Sequence, residues 1–148
     1  GIEVPQVDEV ATAIEAVDNF YYQPRGRRSH GGGKRIGAAQ FTEPLEYGDW
    51  WNNYGILMLQ VESVQAVTSA AALACAGVDC LSFGPADLAC DLKYNPHPEL
   101  KTVDQCVDHV VRALEGSNTV VSLRNGSDEQ RQKYADMGVK VFLESPQD

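Results

Sequence analysis

Short apolar runs alternate with amphipathic segments along most of the chain. The amphipathic segments carry apolar residues three and four positions apart, which is the periodicity of a helix with one buried face. They predict helices at about 8–20 and 63–76, one that begins after Thr102, and one that begins after Ser127 and ends at Gly138. The apolar runs predict strands at 1–7, 55–61, 79–83, 119–123 and 139–143. Strand and helix therefore alternate from end to end, which favours an α/β fold with a parallel sheet.

Local signals at the predicted helix ends support this order. Thr102 with Gln105, and Ser127 with Gln130, have the spacing of capping boxes, and Asp8 is a suitable N-cap for the first helix. Two segments lack a periodic pattern, residues 23–54 and the stretch from Gly84 to Pro98. We expect the first to be a long loop and the second to be irregular.

The overall composition excludes several classes of partner. A formal net charge of −9 argues against nucleic acid and anionic membranes, because both attract basic surfaces. No apolar run approaches the ~20 residues that span a bilayer. The four cysteines show no C-x-x-C spacing, so we expect reduced thiols in a cytoplasmic protein.

Two acidic residues lie just past two of the predicted strands. Glu62 comes after the apolar run at 56–59, and Asp87 follows the run at 80–83 in the sequence Gly84-Pro85-Ala86-Asp87. Adjacent parallel strands would bring both carboxylates to the carboxyl edge of the sheet, where ligands collect. Two carboxylates there suit a hard cation such as Mg²⁺ or Mn²⁺. Alternatively, both are acids that favour a helix N-terminus through the helix dipole.

Five strands in 148 residues fit two architectures, a flavodoxin-like sandwich or just over half of a (β/α)₈ barrel. Hydrophobicity does not separate them. A response-regulator-like sandwich would need an acidic pair after its first strand, where this chain has Val4-Pro5-Gln6-Val7. The position of the acids therefore favours the barrel.

Several motifs together resemble the metal-dependent 2-oxo-acid aldolases of the HpcH/HpaI family, which includes 4-hydroxy-2-oxoheptanedioate aldolase. They occur in the family's order and cover nearly the whole chain. The matching segments are Gly1–Val7, the loop Pro24–Ser29, Tyr47 and Asn52, Gln60–Glu62, Phe83–Leu88, and Asn95–Pro98.

The resemblance implies a (β/α)₈ barrel of which residues 1–148 form one partial domain, with strands four to eight. It implies that Glu62 and Asp87 bind the divalent metal, Mg²⁺ or Mn²⁺ with Co²⁺ as a further candidate. It also implies that backbone amides at Ala86 and Asp87 receive the substrate carboxylate. The other candidate substrate-binding residues are Gln60, Gly84, Pro85, Arg28 and Tyr47.

The same resemblance places the family's catalytic histidine and substrate-binding arginine on strands that would precede Gly1, and the closing helix beyond Asp148. The catalytic base is therefore unassigned within this chain. We expect a partner to complete the barrel, either another copy or a complementary N-terminal half-barrel chain. It would cover an inner sheet face that is apolar at Ile56, Met58, Val120 and Val141.

The implied function is carbon–carbon lyase chemistry, as an aldolase or decarboxylase, on a small 2-oxo acid such as pyruvate or oxaloacetate. The alternative is a non-catalytic half-barrel that acts as a scaffold or regulatory subunit.

The remaining candidates have structural interpretations. We expect His97, between two prolines, to be structural rather than a base. We expect His109 to pack partly buried on its helix, and His30 to lie on a loop surface. Trp50 and Trp51 suit either the mouth of a site or burial against the barrel exterior.

Overall fold

The computed structural model describes residues 1–31, 37–124 and 126–144. Its centre is a five-stranded parallel sheet in which the strands lie side by side in chain order. The strands are β1 (Ile2–Val4), β2 (Leu57–Val61), β3 (Cys80–Phe83), β4 (Val120–Arg124) and β5 (Val141–Leu143). A flavodoxin-like sheet reverses direction and places its first strand inside the order, whereas a (β/α)₈ barrel adds each strand on the same side. The observed order therefore excludes the sandwich.

Helices cover one face of this sheet. They are α1 (Val10–Phe20), α2 (Pro44–Tyr54), α3 (Val64–Thr68), α4 (Ala70–Leu73), α5 (Pro85–Tyr94), α6 (Val103–Ala113) and α7 (Asp128–Met137). A short 3₁₀ turn, Ala38–Gln40, precedes α2. Within the described ranges, no helix is both long enough and apolar enough to cross a membrane.

Two helices occupy parts of the segments that the sequence pattern left irregular, so those expectations were wrong for residues 44–54 and 85–94. Each begins with a proline, Pro44 in α2 and Pro85 in α5, at the position where the missing proline N–H costs nothing. The buried face of α2 consists of Tyr47, Gly48 and Asn52, and α5 buries only Leu88. Neither set forms an apolar stripe, because glycine and asparagine replace the aliphatic residues.

The predicted helix at 63–76 is divided at Ser69, which separates α3 from α4 and has φ −94° and ψ 3°. The first helix begins later than expected, with Glu9 rather than Asp8 at its N-cap. Asp8 instead accepts a hydrogen bond from the Ser63 hydroxyl, at the start of α3.

The capping signals later in the chain are largely confirmed. Thr102 and Gln105 make both reciprocal bonds of a capping box at α6. Ser127 accepts the N–H of Gln130 at α7, but the Gln130 side chain accepts from Gly126 instead of Ser127.

The two faces of the sheet differ in composition. Alternate strand residues pack against the helices and are buried: Leu57, Leu59, Val61, Leu81, Phe83, Val121 and Leu123. The opposite face was expected to be apolar, and this is only partly correct. Met58 and Val120 lie there, but by strand alternation so do Gln60, Ser82 and Ser122.

Candidate functional site

A cleft of about 670 Å³ lies beyond the carboxyl ends of β1 to β3. Its lining includes the carboxylates of Asp8, Glu62, Asp87 and Asp91, together with Gln6. The two acids predicted from the sequence are therefore brought to one site. The cleft is strongly acidic, which favours binding of a cation.

Glu62 follows β2 directly and is held from the neighbouring loop. Its Oε1 accepts a hydrogen bond of 2.8 Å from the backbone N–H of Gln6. Gln6 has φ +54°, a left-handed conformation that is uncommon for residues other than glycine. Strained backbone of this kind is typical of functional sites, where the surrounding structure maintains it.

Gly84 provides the space in which the Glu62 side chain lies. A Cβ at this position would be 2.7 Å from Glu62 Oε2, 2.9 Å from Glu62 Cβ and 3.2 Å from Gln60 Nε2. The first two distances are shorter than real Cβ contacts allow. Only glycine therefore permits the observed approach of Glu62 and Gln60 to the end of β3.

The N-terminus of α5 forms the opposite wall of the cleft. Gly84 is its N-cap, Pro85 is in the first turn, and Leu88 donates the first bond of the helix to the Gly84 carbonyl. The N–H groups of Ala86 and Asp87 precede that bond, so they have no partner inside the helix. Together with the helix dipole, they form a place suited to an anion. The exposed Asp87 carboxylate lies on the same turn.

The other two carboxylates brace the loops around the cleft. Asp91 accepts the N–H of Val64 at 2.7 Å and the side-chain amide of Asn95 at 2.7 Å. Asp8 accepts the Ser63 hydroxyl. Glu62 and Asp87 line the same cleft beside them. Within residues 1–31, 37–124 and 126–144, no cluster of three or more histidine, cysteine or acidic side chains could hold a metal.

Arg28 and Tyr47 lie at the opposite edge of the sheet, where α1 ends. Arg28 stacks on Trp51 at 4.4 Å and donates to the Phe20 carbonyl. Tyr47 is buried among aromatic rings, including Trp50 at 5.7 Å. The structure does not bring either residue to Glu62, so we leave both out of the site.

The three histidines also lie outside the cleft lining. His97 Nδ1 accepts the N–H groups of Glu99 and Leu100, both at 3.2 Å, which agrees with a structural role. His109 is exposed, so the expectation of a partly buried residue was wrong. His30 is half-buried rather than on the surface and stacks on Tyr22 at 4.3 Å.

Sequence reasoning missed two residues near the site. Gln6 positions Glu62 through a backbone conformation that no sequence signal marked. Arg124 ends β4, and the pairing of Phe83 with Leu123 puts it beside Gly84 at the carboxyl edge. Its signal was available, because it follows the predicted strand 119–123 just as Glu62 follows the predicted strand 55–61.

The relatives found by comparison with known proteins are consistent with one family. The family model described as HpcH/HpaI aldolase/citrate lyase matches residues 1–141. Hydroxypyruvate/pyruvate aldolase of Cupriavidus necator is 29% identical over 138 residues, which cover 91% of this chain and 50% of that protein. The 4-hydroxy-2-oxo-heptane-1,7-dioate aldolase of Escherichia coli is 25% identical over 136 residues, covering 91% and 52%. The chain thus spans about half the length of these curated relatives.

A solved structure has the same fold. The HpcH/HpaI aldolase from Desulfitobacterium hafniense has a TM-score of 0.78 at 29% identity, over 97% of this chain and 56% of that one. This likeness and the strand order confirm the (β/α)₈ barrel type.

Proposed function

Since the chain belongs to the HpcH/HpaI aldolase/citrate lyase family, we propose that it takes part in carbon–carbon lyase chemistry on a 2-oxo acid. One observation carries the proposal, the convergence of Glu62, Asp87 and the N-terminus of α5 on a single cleft. Cleavage of the bond between C3 and C4 leaves its electron pair on C3, where the adjacent keto group of the 2-oxo acid delocalises it as an enolate. A site for this reaction must hold the carboxylate and stabilise the developing negative charge.

The donor set fits a hard divalent cation. Glu62 and Asp87 offer carboxylate oxygens, the ligands of Mg²⁺ and Mn²⁺, and such ions commonly use one or two protein carboxylates with water and substrate completing the shell. The contact of Glu62 with Gln6 and the missing side chain at Gly84 hold one ligand in place before binding. When bound, the ion supplies Lewis-acid polarisation of the keto group.

The chain's own groups then bind and orient the substrate. The amides of Ala86 and Asp87 receive the carboxylate at the start of α5, and the Gln60 side chain lies beside Gly84 to contact the keto end. Proton transfer is assigned to no residue of this chain, because the family resemblance puts the base on another strand.

Metal titration tests the site. Glu62→Gln and Asp87→Asn should each weaken Mn²⁺ binding at least about tenfold, or about 1.4 kcal/mol, because each removes a charged ligand. Glu115→Gln is the matched control, since Glu115 is exposed at the end of α6. Wild-type affinity in both site variants, measured by calorimetry, would remove the metal from the proposal.

A non-catalytic scaffold or regulatory half-barrel is the second candidate. It is favoured by the three histidines: His30 and His109 do not line the cleft, and His97, in an adjoining cavity, has its Nδ1 occupied by the N–H groups of Glu99 and Leu100. Deuterium exchange into the methyl group of pyruvate separates the candidates. A catalytic role predicts slow exchange by this chain and an increase, up to ~10²–10⁴-fold, when a polypeptide that carries the base completes the site. Exchange that stays at the rate of free metal under both conditions favours the scaffold.

Completion by a partner is part of the proposal. β1 pairs with β2 on one side within this chain, and Ile2 and Ile56 are about half exposed near that edge. Unpaired edges and exposed apolar residues promote association. We expect a second copy or a complementary half-barrel chain there, and sedimentation as a monomer would count against it. The four free cysteines are consistent with the cytoplasm as the compartment.

A further inference from the structure

A hydrogen bond from α5 holds the segment that follows Glu62. Glu62 is followed by Ser63 and Val64, where α3 begins. The N–H of Val64 donates to the carboxylate of Asp91 at 2.7 Å, and Asp91 belongs to α5. This bond joins the segment that carries Glu62 to the helix that carries Asp87. The two candidate metal ligands are therefore linked by a contact that includes neither of them.

Helix α5 meets this segment at two points. Gly84, the N-cap of α5, lies against the side chain of Glu62, and Asp91 lies against Val64. Gly84, Asp87 and Asp91 are three and four residues apart, so they share one face of the helix. Asp87 thus lies between the two contacts. Together these contacts restrict both the sliding and the rotation of α5 against the segment, and so they determine the position of Asp87 relative to Glu62.

Helix capping alone does not account for Asp91. Ser63 already caps α3, because its hydroxyl oxygen accepts the N–H of Ala66 at 2.9 Å. Asp91 adds an acceptor from a separate element, 27 residues away from Val64 in sequence. Its other oxygen accepts from the Asn95 side chain, and none of the ion pairs found within the described residues includes it. Two neutral donors therefore fix the orientation of this carboxylate in the wall of the cleft.

We propose that Asp91 is a positioning residue, which sets the relative position of Glu62 and Asp87 and so determines the affinity of the cleft for a divalent cation. It acts through the N–H of Val64, and neither by binding the cation nor through its charge. Hydrogen-bond partners behind metal ligands typically change metal affinity by about tenfold to a hundredfold. This inference rests on the proposed function and adds a residue to its metal site.

Two variants separate the effect of position from the effect of charge. Val64→Pro removes the N–H donor and keeps all four carboxylates of the cleft. Proline is favoured at the first position of a helix, and Ser63, with φ −135° and ψ 159°, has the extended backbone that a residue before proline prefers. Asp91→Asn does the converse, because it removes a charge and keeps an oxygen that accepts from Val64.

Calorimetric titration with Mn²⁺ measures both effects. Val64→Pro and Asp91→Ala should each bind Mn²⁺ about tenfold to a hundredfold more weakly than the wild type. Asp91→Asn should stay within about threefold of the wild type, the effect of removing a distant charge in water. Val103→Pro is the matched control. Val103 is also the first residue of a helix behind an extended N-cap, and none of the hydrogen bonds found within the described residues includes its N–H. This variant should bind Mn²⁺ like the wild type.

A double variant tests whether the effect passes through Glu62. In the Glu62→Gln background, Val64→Pro should cause no further loss of Mn²⁺ affinity, because the position of a missing ligand no longer matters. A further loss of about tenfold in the double variant would show that the two residues act independently, and would overturn the proposed route.

The other results are equally decisive. Binding as weak in Asp91→Asn as in Asp91→Ala assigns the effect to charge and overturns the positioning role, and so does wild-type affinity in Val64→Pro. A wild-type chain that binds no Mn²⁺ overturns the proposed metal site, and this inference with it. Circular dichroism establishes that each variant is folded. If Val64→Pro does not fold, Asp91→Ala and Asp91→Asn make the same comparison.

Discussion

Replacement of Gly84 by alanine tests whether the close approach of β3 to Glu62 maintains the site. The new methyl group would lie 2.7 Å from Glu62 Oε2 and 2.9 Å from Glu62 Cβ. Ordinary contact begins at about 3.4 Å, so the two groups must separate by roughly 0.5–0.7 Å. The carboxylate can rotate, but Cβ moves only with the backbone of β2.

The expected cost has two parts. Overpacking of this kind typically destabilises by about 1–3 kcal/mol. Displacement of Glu62 also weakens its bond from Gln6, which fixes the carboxylate toward the cleft. We therefore expect lower stability and, in the folded protein, at least about tenfold weaker Mn²⁺ binding.

Urea denaturation and calorimetric Mn²⁺ titration measure the two effects separately. Gly126→Ala is the matched control, because Gly126 lies at the same edge and its Cβ would be 3.6 Å from the nearest atom. If Gly84→Ala binds Mn²⁺ like the wild type, Glu62 does not depend on this contact, and the proposed preorganisation of the site is wrong.

Three further predictions concern stability and reactivity. Asn52→Ala should destabilise the fold by roughly 2–4 kcal/mol, because the buried side chain accepts from the N–H and donates to the carbonyl of Tyr22. Asn53→Ala, at an exposed position, should destabilise it far less. Equal urea midpoints for the two variants would refute this. Burial, and then the hydrogen bond to Asp104, raise the pKa of Tyr134 from 10.0 to about 12. The contribution of Tyr134 to the free energy of unfolding should therefore be complete below pH 10 and decline toward pH 12. Tyr134→Phe should remove this decline when the free energy of unfolding is measured against pH. Iodoacetamide should alkylate Cys90 first, as the one exposed thiol, and weaken oxo-acid binding in the cleft; mass spectrometry that finds another cysteine modified first would contradict this.

The elements that the sequence predicted well are those whose buried residues are aliphatic. The strands and α6 follow this rule, and their order was correct. Helices α2 and α5 were missed because α2 buries Tyr47, Gly48 and Asn52, and α5 buries a single Leu88. Such helices are held against neighbouring elements by small and polar side chains, which leave no hydrophobic periodicity in the sequence.

The sequence predicted site residues only where their order in the chain determines their location in the sheet. Glu62 and Asp87 could be paired because each follows a strand, and parallel strands end together. The role of Gln6 depends on a left-handed backbone that its sequence does not require. Arg28 and Tyr47 were assigned to the site, but their location depends on α2, which was not predicted.

The sequential strand order also determines how the chain can open locally. Among the described residues, each strand bonds only to the strands before and after it in sequence, so every pairing forms across one crossover. β3 has neighbours on both sides and four buried residues, whereas β1 and β5 are three residues long with one neighbour each. Amide hydrogen exchange should therefore be slowest in β3 and fastest in the outer strands, because opening proceeds inward. Glu62 and Gly84 adjoin the most protected pairing, while Gln6, which orients Glu62, follows the fraying strand β1. The metal-binding geometry would thus be lost by partial opening well before the fold itself is lost.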